Sequence, residues 1–576
     1  MKEISVLIAG IRGDAIDDTG LLISKLFARL GYQVYMYNDI PSLIIGGHQF
    51  IIVRAANEKI SAHKDKVDIV LAFNQDAMDK HKERFNKNTI FIYDKDKVQL
   101  DDLKNIDVGI SSSEIIKDKT LLKKLKWICL AAGLFKTLNI DLEIFEELLK
   151  NGDDRLLAEK LDIAQRTYDL ESININEEFK KQINDHINEQ KNEQKNEQKK
   201  EIKYKKRLPV LSGSEAIGLG LLKAGLEAYV AYPMTPTSQI LEFLAKYEEE
   251  LGLHIVLPES EIAVMLMALG YSYMGVRSAV GTSGGGFSLM VEALGLSGQA
   301  ELPVVVVMGQ RAGPSTGMPT YTAQTDLHFV LNASQGEFPR FIVAPGDAEE
   351  ACYWSGIALN KAWKYQMPAF VLIDKTLALG YSSFDESLVP ALTLEAPKIW
   401  KDPGTYKRYM KTADGISPLA FPPLAGQAIK ATGYVHDEYG ITSEKPEIAK
   451  GLADKWSLKE KQLAIDMEDY PTVKVHGEGK TALLCWGSNK GVCLEVANKY
   501  GLKVIQMLVL SPFPYKALGK ALEGVDKLIS VECNAKGQLA MLLEQNGFKV
   551  DEKILKYDGR PFSIEDLDLE VKKVIL

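Results

Sequence analysis

Short apolar runs alternate along the chain with amphipathic stretches, a pattern that predicts strands alternating with helices rather than hairpins or bundles. Ile4 to Gly10 is a continuous apolar run ending at glycine, which predicts a buried strand and a turn. Leu21, Leu22, Leu26, Phe27 and Leu30 then recur at helical spacing, followed by strand-like Gln33 to Tyr37, Val67 to Phe73 and Thr89 to Tyr93. The alternation resumes with a helix over Ala216 to Ala224, a strand over Ala228 to Ala231 and an amphipathic helix over Thr237 to Tyr247. Val304 to Met308, Phe341 to Val343 and Ala369 to Ile373 read as short buried strands. A last unit begins at Thr481 and continues through Val504 to Leu508 and Lys527 to Val531. Asn176 to Arg207, with three copies of Asn-Glu-Gln-Lys, is too polar to offset its ordering entropy and reads as a solvated linker. The expectation is three α/β domains at 1–175, 207–386 and 471–576, with the linker at 176–206 and a Pro-, Gly- and charge-rich connector at 387–470.

Composition narrows the function classes. The 576 residues exceed one ordinary core, and 46% apolar with 26% charged residues is usual for globular protein. A net charge of -9 gives no reason to expect nucleic acid or an anionic membrane as partner. Met1-Lys2-Glu3 runs straight into the first strand, and no apolar run approaches the ~20 residues of a membrane span, so a cytoplasmic location is expected. Cys129, Cys352, Cys485, Cys493 and Cys533 form no CxxC pair, which favours buried reduced thiols over a metal or cluster site on this chain.

The chemistry concentrates between Gly213 and Asp326. Tyr232-Pro233-Met234-Thr235-Pro236-Thr237-Ser238 follows a strand, and its two prolines hold Thr235 in a stiff loop, with Thr237 and Ser238 as helix N-caps. Pro258-Glu259-Ser260-Glu261 opens an apolar helix that reads as fully buried. Either acid serves as an ordinary dipole partner, but a buried carboxylate there needs a partner or a raised pKa. Gly281-Thr282-Ser283-Gly284-Gly285-Gly286 predicts a turn where backbone approaches another group closely. Arg311, after the strand Val304 to Met308 and inside a Gly/Pro-shaped loop, is placed to clamp a carboxylate.

Together these segments resemble the alpha subunits of 2-oxoacid:ferredoxin oxidoreductases, carrying a fused amino-terminal gamma-type domain. Tyr232 to Ser238 is similar to that family's YPITPSS element. Gly213-x-Glu215-Ala216, Glu259-Ser260-Glu261, Thr282-Ser283-Gly284 and Arg311-x-Gly313-Pro314-Ser315-Thr316-Gly317 follow in the family's order. So do Thr432-Gly433-x-x-His436-Asp437-Glu438, Trp486-Gly487-Ser488-x-Lys490-Gly491, Glu532, Gly537-Gln538-Leu539 and Tyr557 to Phe562. The resemblance implies a gamma-type Rossmann-like domain, a thiamine-diphosphate pyrimidine-type domain and a transketolase C-terminal-like domain. It implies coenzyme-A-dependent oxidative decarboxylation of 2-oxoglutarate or a related 2-oxoacid, with a ferredoxin-type acceptor. Pyruvate or branched-chain substrates, or a non-catalytic assembly partner, are the alternatives.

Carried over by residue, the resemblance makes Glu261 the acid that hydrogen-bonds the thiamine aminopyrimidine. Thr235, Arg311 and Thr320 would bind the 2-oxoacid, and Pro233, Ser283 and Gly284 would line the cofactor site. No Gly-Asp-Gly element for magnesium and diphosphate is present. The thiamine site is therefore expected to be shared with a beta subunit that carries Mg2+ and the [4Fe-4S] cluster, in an (alpha-beta)2 assembly. The gamma-type resemblance rests on Pro41-Ser42-Leu43-x-x-Gly46-Gly47-His48 and Asp68 to Ala72. It departs at Gly10-Ile11-Arg12-Gly13-Asp14-Ala15, where Asp14, Asp17 and Asp18 would repel a phosphate, so subunit docking rather than coenzyme A binding is expected of this domain.

Overall fold

The computed structural model describes residues 3–41, 46–100, 105–150, 152, 155–171 and 207–575. The expected linker at 176–206 and Ser42 to Ile45 of the gamma-type motif lie outside the described residues. The chain is mixed α/β and divides into two compact units. One comprises 1–211, 380–385 and 563–566, and the other the remainder.

The first unit is built on an eight-stranded sheet. Its strands are β1 (Glu3–Ile11), β2 (Gln33–Asp39), β3 (His48–Ala56), β4 (Ile69–Ala72), β5 (Ile90–Asp94), β6 (Asp107–Ile110), β7 (Val210–Ser212) and β14 (Tyr381–Ser383), in the order β6-β5-β4-β1-β3-β2-β14-β7. The β4, β5 and β6 side is parallel, whereas β3 runs antiparallel to both β1 and β2. The helix Ile16–Arg29 buries Ile16, Leu22, Ile23, Leu26 and Phe27 against this sheet, as its periodicity predicts. The Asp14 carboxylate accepts from Ile11 N–H at 3.0 Å and pairs with Lys126 at 2.6 Å.

The second unit holds two sheets. The larger contains β8 (Ala228–Val230), β9 (His254–Val256), β10 (Ser278–Ser283), β11 (Val304–Gln310), β12 (Phe341–Val343), β13 (Pro368–Asp374) and β18 (Val509–Ser511), in the order β18-β12-β13-β11-β10-β8-β9. All pairings are parallel except β12 with β18. Every residue of β10, β11 and β13 is buried, as helices covering both faces require. The smaller sheet, β15-β17-β16-β19-β20, joins β15 (Val473–His476), β16 (Thr481–Cys485), β17 (Lys503–Met507), β19 (Lys527–Glu532) and β20 (Glu552–Leu555). Chain order reverses at β8, because β8 leads to β9 on one flank and β9 crosses back to β10 on the other. Such a switch point opens a crevice at the carboxyl ends of the strands.

Three local expectations change. The glycine run is no loop: Gly281 lies inside β10, and the helix Gly284–Ala300 starts immediately after Ser283. The helix Glu261–Tyr273 is not fully buried, since Ile262, Leu266 and Met267 are exposed. The connector contains a 21-residue helix, Pro446–Asp466, which its polar composition concealed. Burial of charge holds that helix in place. Lys455 and Lys459 reach Glu301 at 2.6 and 2.7 Å, and all three are buried.

Burial alone would raise the Glu301 pKa, but Lys455, Lys459 and Arg408 together hold it below the ordinary 4.5. The stabilisation from this depressed carboxylate is therefore complete above about pH 4.5 and fades as the pH falls further. Glu301→Gln leaves two buried ammonium groups without a counter-charge. It is expected to cost about 3–5 kcal/mol near neutrality in denaturant unfolding, with a smaller difference from wild type in acid.

Candidate functional site: the carboxyl edge of the parallel sheet

Three strands deliver the site. After β8 the loop from Ala231 to Thr237 passes over the sheet, with a cis Thr235-Pro236 peptide. Only glycines allow that approach. A Cβ on Gly309 of β11 would lie 2.8 Å from both Pro236 and Thr237, and one on Gly281 of β10 would lie 3.3 Å from Thr237 Cβ. Thr237 does not cap the next helix with its side chain, as the sequence suggested. Its hydroxyl donates instead to Met234 O at 3.0 Å and closes the loop on itself. Thr235 is half-buried and Pro233 exposed. Ser283 ends β10 with its hydroxyl 2.6 Å from Met234 Sδ, which ties the glycine segment to the Thr235 loop.

Glu261 is 5% exposed, and its Oε1 is buried without a hydrogen-bond partner. Its position is fixed by the glycines that open the helix Gly284–Ala300, because a Cβ on Gly286 would lie 2.5 Å from that oxygen and would also strike Thr282 Oγ1. A buried, unsatisfied carboxyl oxygen in a cradle that any side chain would fill is expensive in an isolated chain, and it fits a donor from a bound group. Those features suit the aminopyrimidine of thiamine.

Arg311 leaves the end of β11, and its Nη1 donates to Thr235 O at 3.2 Å. Burial lowers its pKa, and the nearby charge of Asp326 partly offsets this. The structure thus brings Thr235 and Arg311 together, with the guanidinium's other donors available to a ligand anion. The loop then turns back, with Ala312 N–H bonded to Tyr321 O, so Thr320 lies one residue from that contact. Thr320 Oγ1 is buried and unpartnered.

The carboxyl-terminal motifs hold this loop from below. Thr322 N–H donates to Gly559 O at 3.0 Å and Gln324 N–H to Cys533 O at 2.7 Å. Gln324 also bonds Trp486 O and Asn489, and Gln538 Nε2 donates to Thr325 O at 2.6 Å. The Arg560 guanidinium stacks 3.8 Å from the centre of the Tyr321 ring. Glu532 accepts from Leu539 and Ala540 N–H groups and so fixes the helix that carries Gln538. Glu215 is a capping-box partner of Ser212, a purely local role. Sequence reasoning passed over Asp326, which the fold sets beside Gly284. The signal was hidden because an aspartate before a helix reads as a simple cap.

Fold and site define an oxidoreductase subunit with a thiamine-diphosphate-binding domain. Residues 219–453 match the family described as "Pyruvate flavodoxin/ferredoxin oxidoreductase, thiamine diP-bdg", and residues 5–169 match "Pyruvate ferredoxin/flavodoxin oxidoreductase". The chain is 30% identical to the 2-oxoacid:ferredoxin oxidoreductase alpha subunit of a Sulfolobus species, over 100% of this chain and 97% of that one. It is 31% identical to 2-oxoacid:ferredoxin oxidoreductase 2, subunit alpha, of Aeropyrum pernix, over 100% and 98% of the two chains. A solved 2-oxoglutarate:ferredoxin oxidoreductase from Magnetococcus marinus, with 2-oxoglutarate, coenzyme A and succinyl-CoA bound, superposes with a TM-score of 0.85 at 29% identity, covering 100% of both chains. The chain belongs to the 2-oxoacid:ferredoxin oxidoreductase alpha-subunit family.

Gly286→Ala tests the cradle. The added methyl displaces Glu261, and 2-oxoacid turnover by the reconstituted enzyme is expected to fall at least tenfold, on the order of the ~1.4 kcal/mol that a small misplacement costs. A circular-dichroism melt unchanged from wild type would locate the loss in the site.

Proposed function

We propose that this chain, joined to a beta subunit, catalyses coenzyme-A-dependent oxidative decarboxylation of 2-oxoglutarate or a related 2-oxoacid with a ferredoxin-type acceptor. The observation that carries the reading is the unpartnered Glu261 Oε1 in the Gly286 cradle, on the same sheet edge as the Thr235–Arg311 pair. Thiamine diphosphate, when bound, supplies the nucleophilic carbon that makes loss of CO2 from a 2-oxoacid possible. Glu261 holds a hydrogen bond to the aminopyrimidine ring and sets its protonation there. Arg311, steadied by Thr235 O, takes the substrate carboxylate, and the Thr235 and Thr320 hydroxyls contact the keto group. Pro233, Ser283 and Gly284 shape the wall toward the cofactor.

The rest of the centre belongs to the partner. No group of three or more metal-ligating side chains occurs among the described residues, and the five cysteines are buried free thiols. On the absence of a Gly-Asp-Gly element from the sequence, we assign Mg2+, the diphosphate site and the [4Fe-4S] cluster to the beta subunit in an (alpha-beta)2 cytoplasmic assembly. Ile262, Leu266 and Met267 beside Glu261, with Leu289 on the following helix, give an exposed apolar surface suited to its docking. A docking role for the gamma-type domain is kept from its altered first loop, although Lys126 compensates the charge of Asp14. The 2-oxoglutarate bound in the Magnetococcus enzyme supports that substrate, while the names of the Sulfolobus and Aeropyrum relatives specify only a 2-oxoacid.

Two substitutions separate the roles. Glu261→Gln is expected to reduce turnover by ~10²–10⁴-fold while gel filtration still shows the alpha–beta complex. Near-normal activity would remove the central assignment. Arg311→Ala should raise the KM for the 2-oxoacid about 10–100-fold, as loss of a charge-assisted contact implies, with a smaller change in kcat.

A further inference from the structure

Asp326 stands at the N-cap position of the short helix Leu327–Asn332, yet its carboxylate makes no capping bond. An aspartate there ordinarily turns onto the helix's own N–H groups. Here Gln310 Oε1 accepts from the Asp326 backbone N–H at 3.0 Å. The side chain is directed instead to the glycine turn, where a Cβ on Gly284 would lie 3.3 and 3.4 Å from its two oxygens. Glu261 meets the same turn at Gly286. The turn therefore seats two carboxyl groups, and only one of them, Glu261, is absorbed by the role given above.

Asp326 also faces Arg311, and no ion pair joins them among the described residues. The side chain is half-buried, with a cationic neighbour and no side-chain hydrogen bond among the described residues. Arg311 is the one charged group acting on it among the described residues, and His328, two residues on, has its Nε2 engaged with Gln538 O at 3.0 Å. Burial pushes the Asp326 carboxyl up to about 6, against the opposing effect of Arg311. A second anion arriving at Arg311 would favour the neutral acid further.

We propose that Asp326 is a substrate-binding acid. In its protonated form it donates its O–H to an oxygen of the 2-oxoacid that Arg311 clamps, so that substrate and proton bind together. A neutral carboxyl group beside a developing or resident anion is a hydrogen-bond donor, whereas an ionised one repels it. This rests on the function proposed above.

The test uses the reconstituted alpha–beta complex, with 2-oxoglutarate and pyruvate as probes. For the wild type, KM is expected to rise with pH above about 6, approaching tenfold per pH unit as one proton must be taken up with substrate. Asp326→Asn keeps a neutral donor and should hold a low KM with a flat profile. Asp326→Ala should show a high KM at every pH. A merely structural Asp326 would leave the pH dependence of KM unchanged in both variants, and that result would overturn the proposal. As a measurement that needs no variant, calorimetric titration of the wild-type complex with an acylphosphonate analogue, in buffers of different ionisation enthalpy, should show net proton uptake near neutrality. Zero uptake would also overturn it. A wild-type complex that turns over no 2-oxoacid would remove the proposed function and this inference together, whereas turnover with unaltered pH profiles removes Asp326 alone.

Discussion

A missing methylene at Gly286 is the constraint around which this site is arranged. With any side chain at that position, Glu261 Oε1 would be displaced from its place beside the first turn of Gly284–Ala300. That oxygen has no partner within the chain, which is costly for a buried acceptor and is sensible only where a donor arrives from outside. The same closeness governs the opposite wall. Gly309 and Gly281 let the Pro236 and Thr237 side chains pack onto β11 and β10, and Arg311 meets Thr235 O beside them. The chemistry depends on three strand ends held close enough that only glycine fits between them.

Rigidity at that edge is supplied from elsewhere in the unit. The loop from Arg311 to Asp326 has little regular structure, yet its backbone is tied at Thr322, Gln324 and Thr325 by groups that follow β16 and β19 and by the Gly559 turn. Those ties explain why motifs some 200 residues downstream accompany the Arg311 loop: they position its backbone. The Glu301–Lys455–Lys459 cluster does the equivalent for the connector. It replaces apolar packing with a compensated buried charge, whose value lies in fixing one arrangement more than in net stability.

Much of this was legible in the residues. The strands β11, β12 and β13 follow from short apolar runs, since a strand covered on both faces carries no polar alternation. Glu261, Arg311 and Thr235 could be singled out because an acid, a base and a proline-locked hydroxyl each sit where a strand or helix end projects them. What failed to show had specific causes. The strand β3 begins in a histidine-containing segment with mixed polarity, and its antiparallel pairing with β1 and β2 depends on long-range register. The helix Pro446–Asp466 carries lysines inward, so its periodicity is that of ion pairs rather than of hydrocarbon. Ile262, Leu266 and Met267 are apolar but exposed, because periodicity cannot tell a core face from one that awaits a partner.

By itself the sequence determined which residue types could do chemistry and the class of sheet that would carry them, and it raised the expectation that a second chain supplies diphosphate, metal and cluster sites. Those conclusions rest on local properties: hydrophobic period, proline and glycine stereochemistry, and the presence or absence of a donor set. Only the tertiary structure decided which glycine serves which side chain, that Asp326 leaves its helix uncapped to face Gly284, and that Gln324 and Gln538 anchor the Arg311 loop. Each of those depends on distances between segments far apart in the chain, and such distances are set by how the sheets pack rather than by anything written within a single segment.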